Sequence, residues 1–234
     1  ASVAHWNDTP IIQYIIILFM FLAGTNFVLS YFAFKGRISK ILQDEEFKLY
    51  FRFIIVFTLI VVSIIYTHSY LNDSIVFDHP LVLGSAEGSI RHSLFQVVAI
   101  VTTTGFVTAD YTLWSPFLLV FFFGLMFLGG SAGSTSGGIK VVRHLVLIKN
   151  GFLEFKRTLH PSAILPLRYN NKSVSGEIVF NVLGFFILYM LSFIVGSLGF
   201  ALLGLDFESS IGVAASSLGN VGPALGEFGP SNNF

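Results

Sequence analysis

The sequence predicts an all-α polytopic membrane protein that repeats one unit: a spanning helix, a short helix, a loop and a second spanning helix. Its residues are 54% hydrophobic and only 11% charged, whereas charged residues make up about 25% of a soluble domain. Two apolar runs, residues 94–101 and 211–218, are too short to cross a bilayer, and each leads into a glycine-containing loop. The chain has no cysteine, which excludes disulfides and thiolate metal sites.

The first two long apolar runs predict spanning helices. Residues 11–34 carry no charge and are long enough to cross the hydrocarbon core as one helix. Trp6 precedes this run, as an interfacial anchor does. Residues 37–52 mix basic and acidic side chains and predict a cytoplasmic linker. Residues 53–71 predict the second span.

A short helix is predicted after the acidic stretch of residues 72–88, which we interpret as an external loop. Ser89 is the predicted N-cap, and the helix runs to about Thr102. At about 1.5 Å per residue the helix covers roughly 20 Å, less than the hydrocarbon core of about 30 Å. The chain must therefore turn back toward the side from which it came. Gly105 can adopt the positive φ of such a turn at little cost.

Two loops with related sequences follow the two short apolar runs. The first is TTTGF at residues 102–106, and the second is GNVGP at residues 219–223. Gly105 aligns with Gly222, Thr104 with Val221, and Thr103 with Asn220. Neither loop carries a charged side chain, so its chemistry rests on backbone carbonyls and hydroxyls, the groups that replace the water shell of a cation. The sequence therefore predicts two re-entrant loops that line a cation filter.

A third span is predicted for residues 111–139, with an interruption near its end. Residues 129–138 read GGSAGSTSGG and contain only small side chains. Each glycine disfavours a helix by about 1 kcal/mol relative to alanine, so this segment does not hold a stable helix. Non-helical backbone inside a membrane persists only where protein or a water-filled cavity surrounds it. A basic, helical extension is expected to follow as far as Arg157.

Residues 178–205 predict the fourth span, after a polar loop at residues 158–177. Asp206 and Glu208 then open the second short helix, because negative charge is favourable at a helix N-terminus. That helix leads into the loop at residues 219–223.

The distribution of positive charge predicts the orientation. Of the 13 Lys and Arg residues, five lie between Phe34 and Phe53, seven lie between Ile139 and Ile178, and the remaining one is Arg91. By the positive-inside rule both basic segments are cytoplasmic, and both short helices enter from outside. The predicted external side carries Asp8, Asp73, Asp78, Glu87, Asp110, Asp206, Glu208 and Glu227. This acidity either concentrates cations at a pore mouth or belongs to ordinary solvated loops.

Three of these sequences resemble a known family. VTTTGF at residues 101–106, the small-residue stretch 129–138 and GNVGP at 219–223 are similar to motifs of the Trk/Ktr/HKT superfamily of potassium transporters. The nearest branch is that of the bacterial TrkH/KtrB membrane subunits. The resemblance covers essentially the whole chain. A lone TTGF is a weak signal, whereas two aligned loops, each after a half-length helix, are a strong one.

The resemblance implies a potassium-channel-like architecture with four pseudo-repeats around one pore, each donating one filter strand. We expect this chain to be part of a longer protein, holding the end of repeat 2, repeat 3 and part of repeat 4. The implied division is residues 1–36, the last transmembrane helix of a preceding repeat; 37–52, a cytoplasmic linker; 53–157, a complete repeat with a broken second helix; 158–177, a cytoplasmic loop; and 178–234, the truncated start of the next repeat.

The implied function is K⁺ uptake, with K⁺ as the transported ion, no cofactor and no catalytic residues. The K⁺-binding filter residues are Thr103, Thr104, Gly105, Asn220, Val221 and Gly222. The resemblance identifies the interruption as an intramembrane gate, formed by Gly129, Gly130, Ser131, Ala132, Gly133, Ser134, Thr135, Ser136, Gly137 and Gly138. One glycine in each filter strand predicts loose selectivity that admits Na⁺.

The resemblance also implies a location and partners. It predicts a multi-pass protein of the plasma membrane, the inner membrane of bacteria, surrounded by the lipid bilayer. Two membrane subunits are expected to form a homodimer that binds a cytosolic nucleotide-binding regulatory subunit. No nucleic acid is expected as a partner.

Three other interpretations compete with these. The potassium-translocating subunit of an ATP-driven pump resembles the same pore architecture. An intramembrane serine protease would use Ser131, Ser134 or Ser136 with a histidine as base, but the G-x-S-x-G motif is absent because Thr135 occupies its centre. Residues 129–138 would alternatively serve close helix packing through small side chains.

Overall fold

The computed structural model describes residues 3–71, 86–163 and 165–230. Most of the predicted external loop at residues 72–88, including Asp73 and Asp78, lies outside this range. The α-helices of the described residues are α1 Pro10–Ala23, α2 Phe27–Phe34, α3 Ile38–Gln43, α4 Glu45–Leu71, α5 Ala86–Val101, α6 Pro116–Leu125, α7 Val141–Leu159, α8 Gly176–Leu202 and α9 Phe207–Gly219. Short 3-10 helices lie at Ala4–Trp6, Tyr111–Leu113 and Gly226–Phe228, and one hairpin is formed by β1 Arg168–Tyr169 and β2 Lys172–Ser173.

The first predicted span is sharply bent. α1 and α2 meet at 114°, with the break at residues 24–26. Asn26 caps α2, because its side-chain oxygen accepts the N–H of Val28 at 2.8 Å. The prediction of one continuous helix over residues 11–34 was therefore wrong, since Gly24 ends one helix and Asn26 starts another in a new direction.

The second span begins earlier than predicted. α4 starts at Glu45 instead of Phe53, so much of the predicted linker at residues 37–52 is helical. The side chain of Asp44 accepts the N–H of Phe47 at 2.8 Å, as a capping residue does. Glu45 and Glu46 fill the first turn, where the partial positive charge of a helix N-terminus favours carboxylates.

The short helix α5 occupies the centre of the core. It packs against α1, α4 and α6, and residues 97–101 are almost completely buried. Its 16 residues correspond to about 24 Å, so the predicted half-length helix is present. The N-cap prediction was wrong: Ser89 lies inside α5, and its carbonyl accepts the hydroxyl of Ser93 at 2.6 Å.

The third predicted span contains little helix before its interruption. α6 has only 10 residues, and Pro116 at its start follows Ser115, whose hydroxyl accepts the N–H of Leu118 at 3.1 Å. The chain leaves the helix before Gly129, earlier than predicted. Leu128 forms a parallel bridge with Ile139, and the N–H of Gly129 donates to the carbonyl of Ile139 at 2.9 Å, so the backbone is paired across the interruption.

The fourth span and the second short helix follow the prediction closely. α8 covers the predicted span at 178–205 apart from its last residues, and Asp206 is the N-cap of α9. The hairpin between α7 and α8 was not predicted. Its turn residues Asn170 and Asn171 have positive φ values of 47° and 63°, as a two-residue type I′ turn requires.

Two described helices, Glu45–Thr67 and Gly176–Leu202, are long and apolar enough to cross a membrane, and α1 with α2 makes a third if the bent pair counts as one span. α8 carries large exposed apolar side chains such as Phe180 and Val195. An exposed apolar surface of this extent indicates contact with lipid or another subunit. The predicted class, an all-α polytopic membrane protein, agrees with this architecture.

Candidate functional site

The two predicted loops have positive φ values at corresponding positions. Thr103 and Gly105 have positive φ values of 52° and 71°, and Asn220 and Gly222 have values of 57° and 112°. Two of the three aligned pairs, Thr103 with Asn220 and Gly105 with Gly222, therefore enter the left-handed region at corresponding positions. We call residues 102–106 the first filter segment and residues 219–223 the second filter segment.

The hydrogen bonds that end the two short helices also correspond. The N–H of Thr104 donates to the carbonyl of Ala99 at 2.9 Å, and the N–H of Val221 donates to the carbonyl of Ser216 at 2.9 Å. One residue earlier in each segment, the N–H donates to the carbonyl three residues back, at 2.9 and 3.2 Å. Such bonds satisfy the last carbonyls of a helix. α5 and α9 therefore lead into their filter segments through the same turn.

Thr103 is the residue whose conformation is least expected in this turn. A positive φ costs a residue with a Cβ about 1–2 kcal/mol, and β-branched residues rarely adopt it. The Thr103 hydroxyl accepts the N–H of Gly137 at 2.7 Å, so a tertiary contact holds the side chain. Strain of this kind often accompanies functional positions.

The two filter segments are in direct contact. The carbonyl oxygen of Val221 lies so near Gly105 that a Cβ on Gly105 would be 2.1 Å from it. Just beyond the segments, the hydroxyl of Tyr111 donates to the carbonyl of Ala224 at 3.1 Å. The fold thus brings together loops that are far apart in sequence, as a shared ion path requires.

Several oxygen atoms of the filter segments have protein partners. The hydroxyls of Thr102 and Thr104 are 2.7 Å apart, and that of Thr102 also donates to the carbonyl of Val98 at 2.8 Å. The carbonyl of Gly222 accepts the hydroxyl of Ser216 at 3.0 Å, so this carbonyl is directed toward its own short helix. The predicted filter residues are therefore gathered at one place, and the Gly222 carbonyl is engaged there.

The small-residue loop, defined as residues 129–138, lies against both filter segments. The N–H of Gly137 binds the hydroxyl of Thr103, and a Cβ on Gly137 would be 2.4 Å from the carbonyl oxygen of Gly219. Thr103 and Gly219 lie where the short helices end. The loop therefore covers the ends of the filter segments that adjoin the helix C-termini.

The small-residue loop closes on itself. The N–H of Gly129 donates to the carbonyl of Ile139 at 2.9 Å, and the N–H of Val141 donates to the carbonyl of Gly130 at 3.1 Å. Inside the loop, the hydroxyl of Ser136 accepts the N–H of Gly130 at 2.8 Å. The two ends of the loop are consequently neighbours.

The break in the first span receives the small-residue loop. The N–H of Ser131 donates to the carbonyl of Gly24 at 2.9 Å, and the N–H of Phe27 donates to the carbonyl of Gly133 at 3.1 Å. A Cβ on Gly130 would be 2.6 Å from the Gly24 carbonyl oxygen. Non-helical backbone at membrane depth needs protein partners, and these two interruptions supply them to each other. The sequence signal that we missed was Gly24 and Asn26 within an apolar run.

Lys140 places a positive charge against the small-residue loop. Its ammonium group donates to the Ser136 carbonyl and lies 3.1 Å from the Ser136 hydroxyl and 3.4 Å from the Ser134 hydroxyl. The two hydroxyls are 2.9 Å from each other. These serines therefore bond to each other and to a lysine, instead of forming the serine–histidine pair that a protease of the proposed kind would need.

A polar network that the sequence did not reveal connects α1 and α5 to the chain just after the first filter segment. Arg91 is 6% exposed, and its guanidinium donates to Glu87 at 2.9 Å and to the side chain of Gln13. Gln13 donates to Asn7 at 2.5 Å, and Asn7 donates to the carbonyl of Thr108 at 3.1 Å. The network joins α1, α5 and the chain after the filter segment. A lone Gln in the apolar α1 was its only sequence signal.

Besides Glu87, which accepts the guanidinium of Arg91, three more of the predicted external acids make structural hydrogen bonds. Asp110 accepts the N–H of Thr112 at 2.9 Å, and Asp206 accepts the N–H of Glu208 at 3.1 Å. Glu208 in turn accepts the N–H of Gly226, at 3.1 Å, which holds the chain after the second filter segment. These acids therefore hold local backbone structure in place. Their role in attracting cations stays a prediction.

The contact of Glu46 with the small-residue loop is a second feature that the sequence did not reveal. Its residue is 2% exposed, and one carboxylate oxygen accepts the N–H of Ala132 at 2.6 Å and that of Val142 at 3.1 Å. Nothing in the mixed run of charges around Glu46 distinguishes it from its neighbours. Only the fold brings it to the small-residue loop.

Comparison with known proteins gives consistent results. The sequence profile of the TrkH family, described as cation transport protein, matches residues 1–233. The chain is 36% identical over 229 residues to the Trk system potassium uptake protein TrkH of Escherichia coli strain K12, which covers 97% of this chain and 44% of that protein. It is 40% identical over 147 residues to the Trk system potassium uptake protein TrkI of Halomonas elongata, covering 62% of this chain and 30% of that protein.

A solved structure agrees with the sequence comparisons. The crystal structure of the potassium transporter TrkH from Vibrio parahaemolyticus matches with a TM-score of 0.83 at 33% identity, over 94% of this chain and 45% of that one. The chain thus spans less than half the length of these relatives. None of them favours the pump-subunit or protease interpretation. With a family match along almost its whole length and the same fold as a solved member, the chain belongs to the TrkH family of cation transport proteins.

Proposed function

We propose that the full-length protein containing this chain takes up K⁺ through a path lined by the two filter segments. The observation that supports this most strongly is their matched geometry: two short helices end in the same turn, and the Val221 carbonyl lies against Gly105. The relatives that are named potassium uptake proteins indicate which cation is carried.

The filter chemistry rests on backbone oxygens. In the proposed path, the carbonyls of six residues replace part of the water shell of K⁺. These residues are Thr103, Thr104, Gly105, Asn220, Val221 and Gly222. Both short helices point their C-terminal, partially negative ends toward this place, which favours a cation over an anion. The Gly222 carbonyl already accepts the Ser216 hydroxyl, so it binds an ion either through its second lone pair or after turning away from Ser216.

The small-residue loop is the proposed gate. Its contacts with Thr103 and Gly219 lie at one end of the filter segments, so ions must pass the loop to leave the filter on that side. Because its residues carry small side chains and its ends are joined by backbone hydrogen bonds, the loop can move without unfolding the helices on either side. Order–disorder changes of such a segment are a common switching device.

The setting of the proposed function is the plasma membrane, the inner membrane of bacteria. The basic α7 and the hairpin face the cytoplasm in this arrangement. α7 exposes Phe152 and Phe155 close to Lys149 and Lys156, a mixed surface that suits a protein partner. We expect a homodimer of membrane subunits and a cytosolic nucleotide-binding regulatory subunit bound on this side.

Growth on low K⁺ tests the proposed function. The full-length protein should restore growth of a bacterial host that lacks its own K⁺ uptake, and Gly105→Ala should reduce that growth strongly. Gly124→Ala is the matched control, because a Cβ on Gly124 meets nothing within 4 Å. Failure of the expressed wild-type protein to restore growth, or equal growth of both variants, would remove the filter assignment.

A further inference from the structure

Asp44 and Glu45, at the start of α4, contact two separate parts of the chain, α7 and the hairpin. Glu45 forms an ion pair with Lys149 of α7 at 2.6 Å, and its N–H donates to the side chain of Asn170 in the hairpin at 2.9 Å. Asp44 accepts the side-chain amide of the same asparagine at 2.7 Å. α7 and the hairpin are therefore fastened to one short acidic run.

The third acidic residue of this run, Glu46, reaches the small-residue loop. One carboxylate oxygen accepts two backbone N–H groups, from Ala132 inside the loop and from Val142 in the first turn of α7. Hydrogen bonds to a carboxylate are stronger than those between neutral groups. Because Lys140, at the N-cap position of α7, makes no side-chain capping bond, Glu46 supplies a capping interaction from another helix.

These contacts hold the loop in the position where it covers the ends of the filter segments. The loop meets Thr103 and Gly219 through Gly137, while Ala132 on its other side is held by Glu46. A loop that withdraws from the filter must move relative to Glu46 or carry Glu46 with it. The carboxylate is therefore placed to oppose withdrawal.

We propose that Glu46 is a positioning residue that latches the small-residue loop against the filter and links it to the cytoplasmic elements. This inference rests on the proposed gating function of the loop. A displacement of α7 or of the hairpin reaches the loop through the acidic run, since Lys149 and Asn170 both contact Glu45, the residue next to Glu46. Lys140 holds the opposite side of the loop through Ser136.

Substitutions at Glu46 in the full-length protein test the latch. Glu46→Ala removes both acceptor contacts and should raise basal K⁺ flux into proteoliposomes by at least roughly tenfold, because the loss of even one hydrogen bond to a charged group corresponds to that factor. Glu46→Gln retains an oxygen that can accept both N–H groups and should stay near the wild-type flux. Glu154→Ala is the control, because Glu154 is exposed and forms its ion pair with Arg157 of the same helix.

Amide hydrogen exchange supplies a readout that does not depend on transport. In Glu46→Ala, protection should fall at residues 132 and 142 and remain unchanged in the filter segments at residues 103–105. A general folding defect would lower protection in both places, and that result would overturn the latch. So would unchanged exchange and flux in Glu46→Ala. If the wild-type protein conducts no K⁺, the proposed function fails, yet the exchange result still decides whether Glu46 holds the loop.

Discussion

The two filter glycines differ in the space that is available for an added Cβ atom. At Gly105 it would be 2.1 Å from the Val221 carbonyl oxygen, whereas at Gly222 its nearest neighbour is 3.8 Å away. Both positions have positive φ, which costs an L-residue about 1–2 kcal/mol. Gly105→Ala therefore suffers a clash in addition to this conformational cost.

We expect Gly105→Ala to impair K⁺ flux and K⁺/Na⁺ discrimination more than Gly222→Ala. The conformational cost at Gly222 alone corresponds to a loss of roughly tenfold. The comparison is made by ion flux in proteoliposomes with the purified full-length variants, at matched protein content. A larger defect in Gly222→Ala would show that the steric environment of Gly105 differs from the one described.

Asp206 provides a prediction about pH. Hydrogen bonds from the Ser209 side chain and from nearby backbone N–H groups stabilise its carboxylate and lower the pKa of Asp206. A lowered folded-state pKa stabilises α9 fully above the unfolded value of about 3.9, and this stabilisation is lost as pH falls through the folded value. Asp206→Ala should therefore increase amide exchange at the start of α9 at neutral pH.

The difference between Asp206→Ala and the wild type should shrink in acid, below a pH of about 4. Glu177→Ala is a suitable control, since Glu177 also lies in the first turn of a helix but is not its N-cap. A pH-independent difference would assign the effect to lost packing instead of the charged cap.

Individual residues differed in how far the sequence could identify them. The correspondence between Thr103 and Asn220, and between the two glycines, could be predicted because local turn chemistry repeats in the sequence. Glu46, Arg91 and Gln13 could not be assigned roles, because their partners are far away along the chain and their contacts exist only after packing.

At the level of elements, the small-residue loop and the break in the first span form one unit. The carbonyl of Gly24 and the N–H of Phe27 are satisfied by the loop, and the loop ends are joined by the bond from Gly129 to Ile139. Residues 131–137 can therefore be removed while the chain ends that remain stay close together. This makes a deletion structurally feasible.

We predict that deleting residues 131–137 raises K⁺ flux and weakens control by the cytosolic subunit, while the filter keeps its ion preference. The contact between Gly137 and Thr103 disappears, whereas the turns at the two filter segments are retained. Flux into proteoliposomes with and without the cytosolic subunit measures the effect. A deletion variant that folds, assembles and conducts no faster than the wild type would make the loop a packing element.

Elements with a strong pattern were predictable, and those governed by tertiary contacts were not. The two short helices and the interruption at residues 129–138 follow from run length and glycine content. The bend after Ala23 did not, because a polar break of three residues inside an apolar run has no periodic signature and is stabilised by the distant loop. The start of α4 at Glu45 was not predicted, because it lies within a run of mixed charges that has no helical apolar pattern.

For the whole molecule, the positive-inside rule predicts which surface faces the cytoplasm. Lys40 and Lys156 should be cytoplasmic, and Asp78 and Asp110 should be external. Because this chain contains no cysteine, single cysteine substitutions at these positions can be labelled, provided that any cysteines elsewhere in the full-length protein are replaced. An impermeant reagent should label intact cells only at positions 78 and 110.

Permeabilised cells provide the control for labelling, since positions 40 and 156 should react once the reagent can enter. A cysteine at position 110 is expected to react slowly because Asp110 is largely buried. The main comparison is therefore between position 78 and the two cytoplasmic positions. Labelling of positions 40 and 156 in intact cells would reverse the orientation.

The most direct test of the ion path is the location of the ion itself. Crystals of the full-length protein grown with Rb⁺ in place of K⁺ should show anomalous density beside the two filter segments, near the carbonyl oxygens of residues 103–105 and 220–222. In the Gly105→Ala variant this density should weaken or disappear, and in Gly124→Ala it should remain. Rb⁺ density that lies elsewhere in the membrane region, or that is unchanged in Gly105→Ala, would contradict the proposal that these segments form the filter.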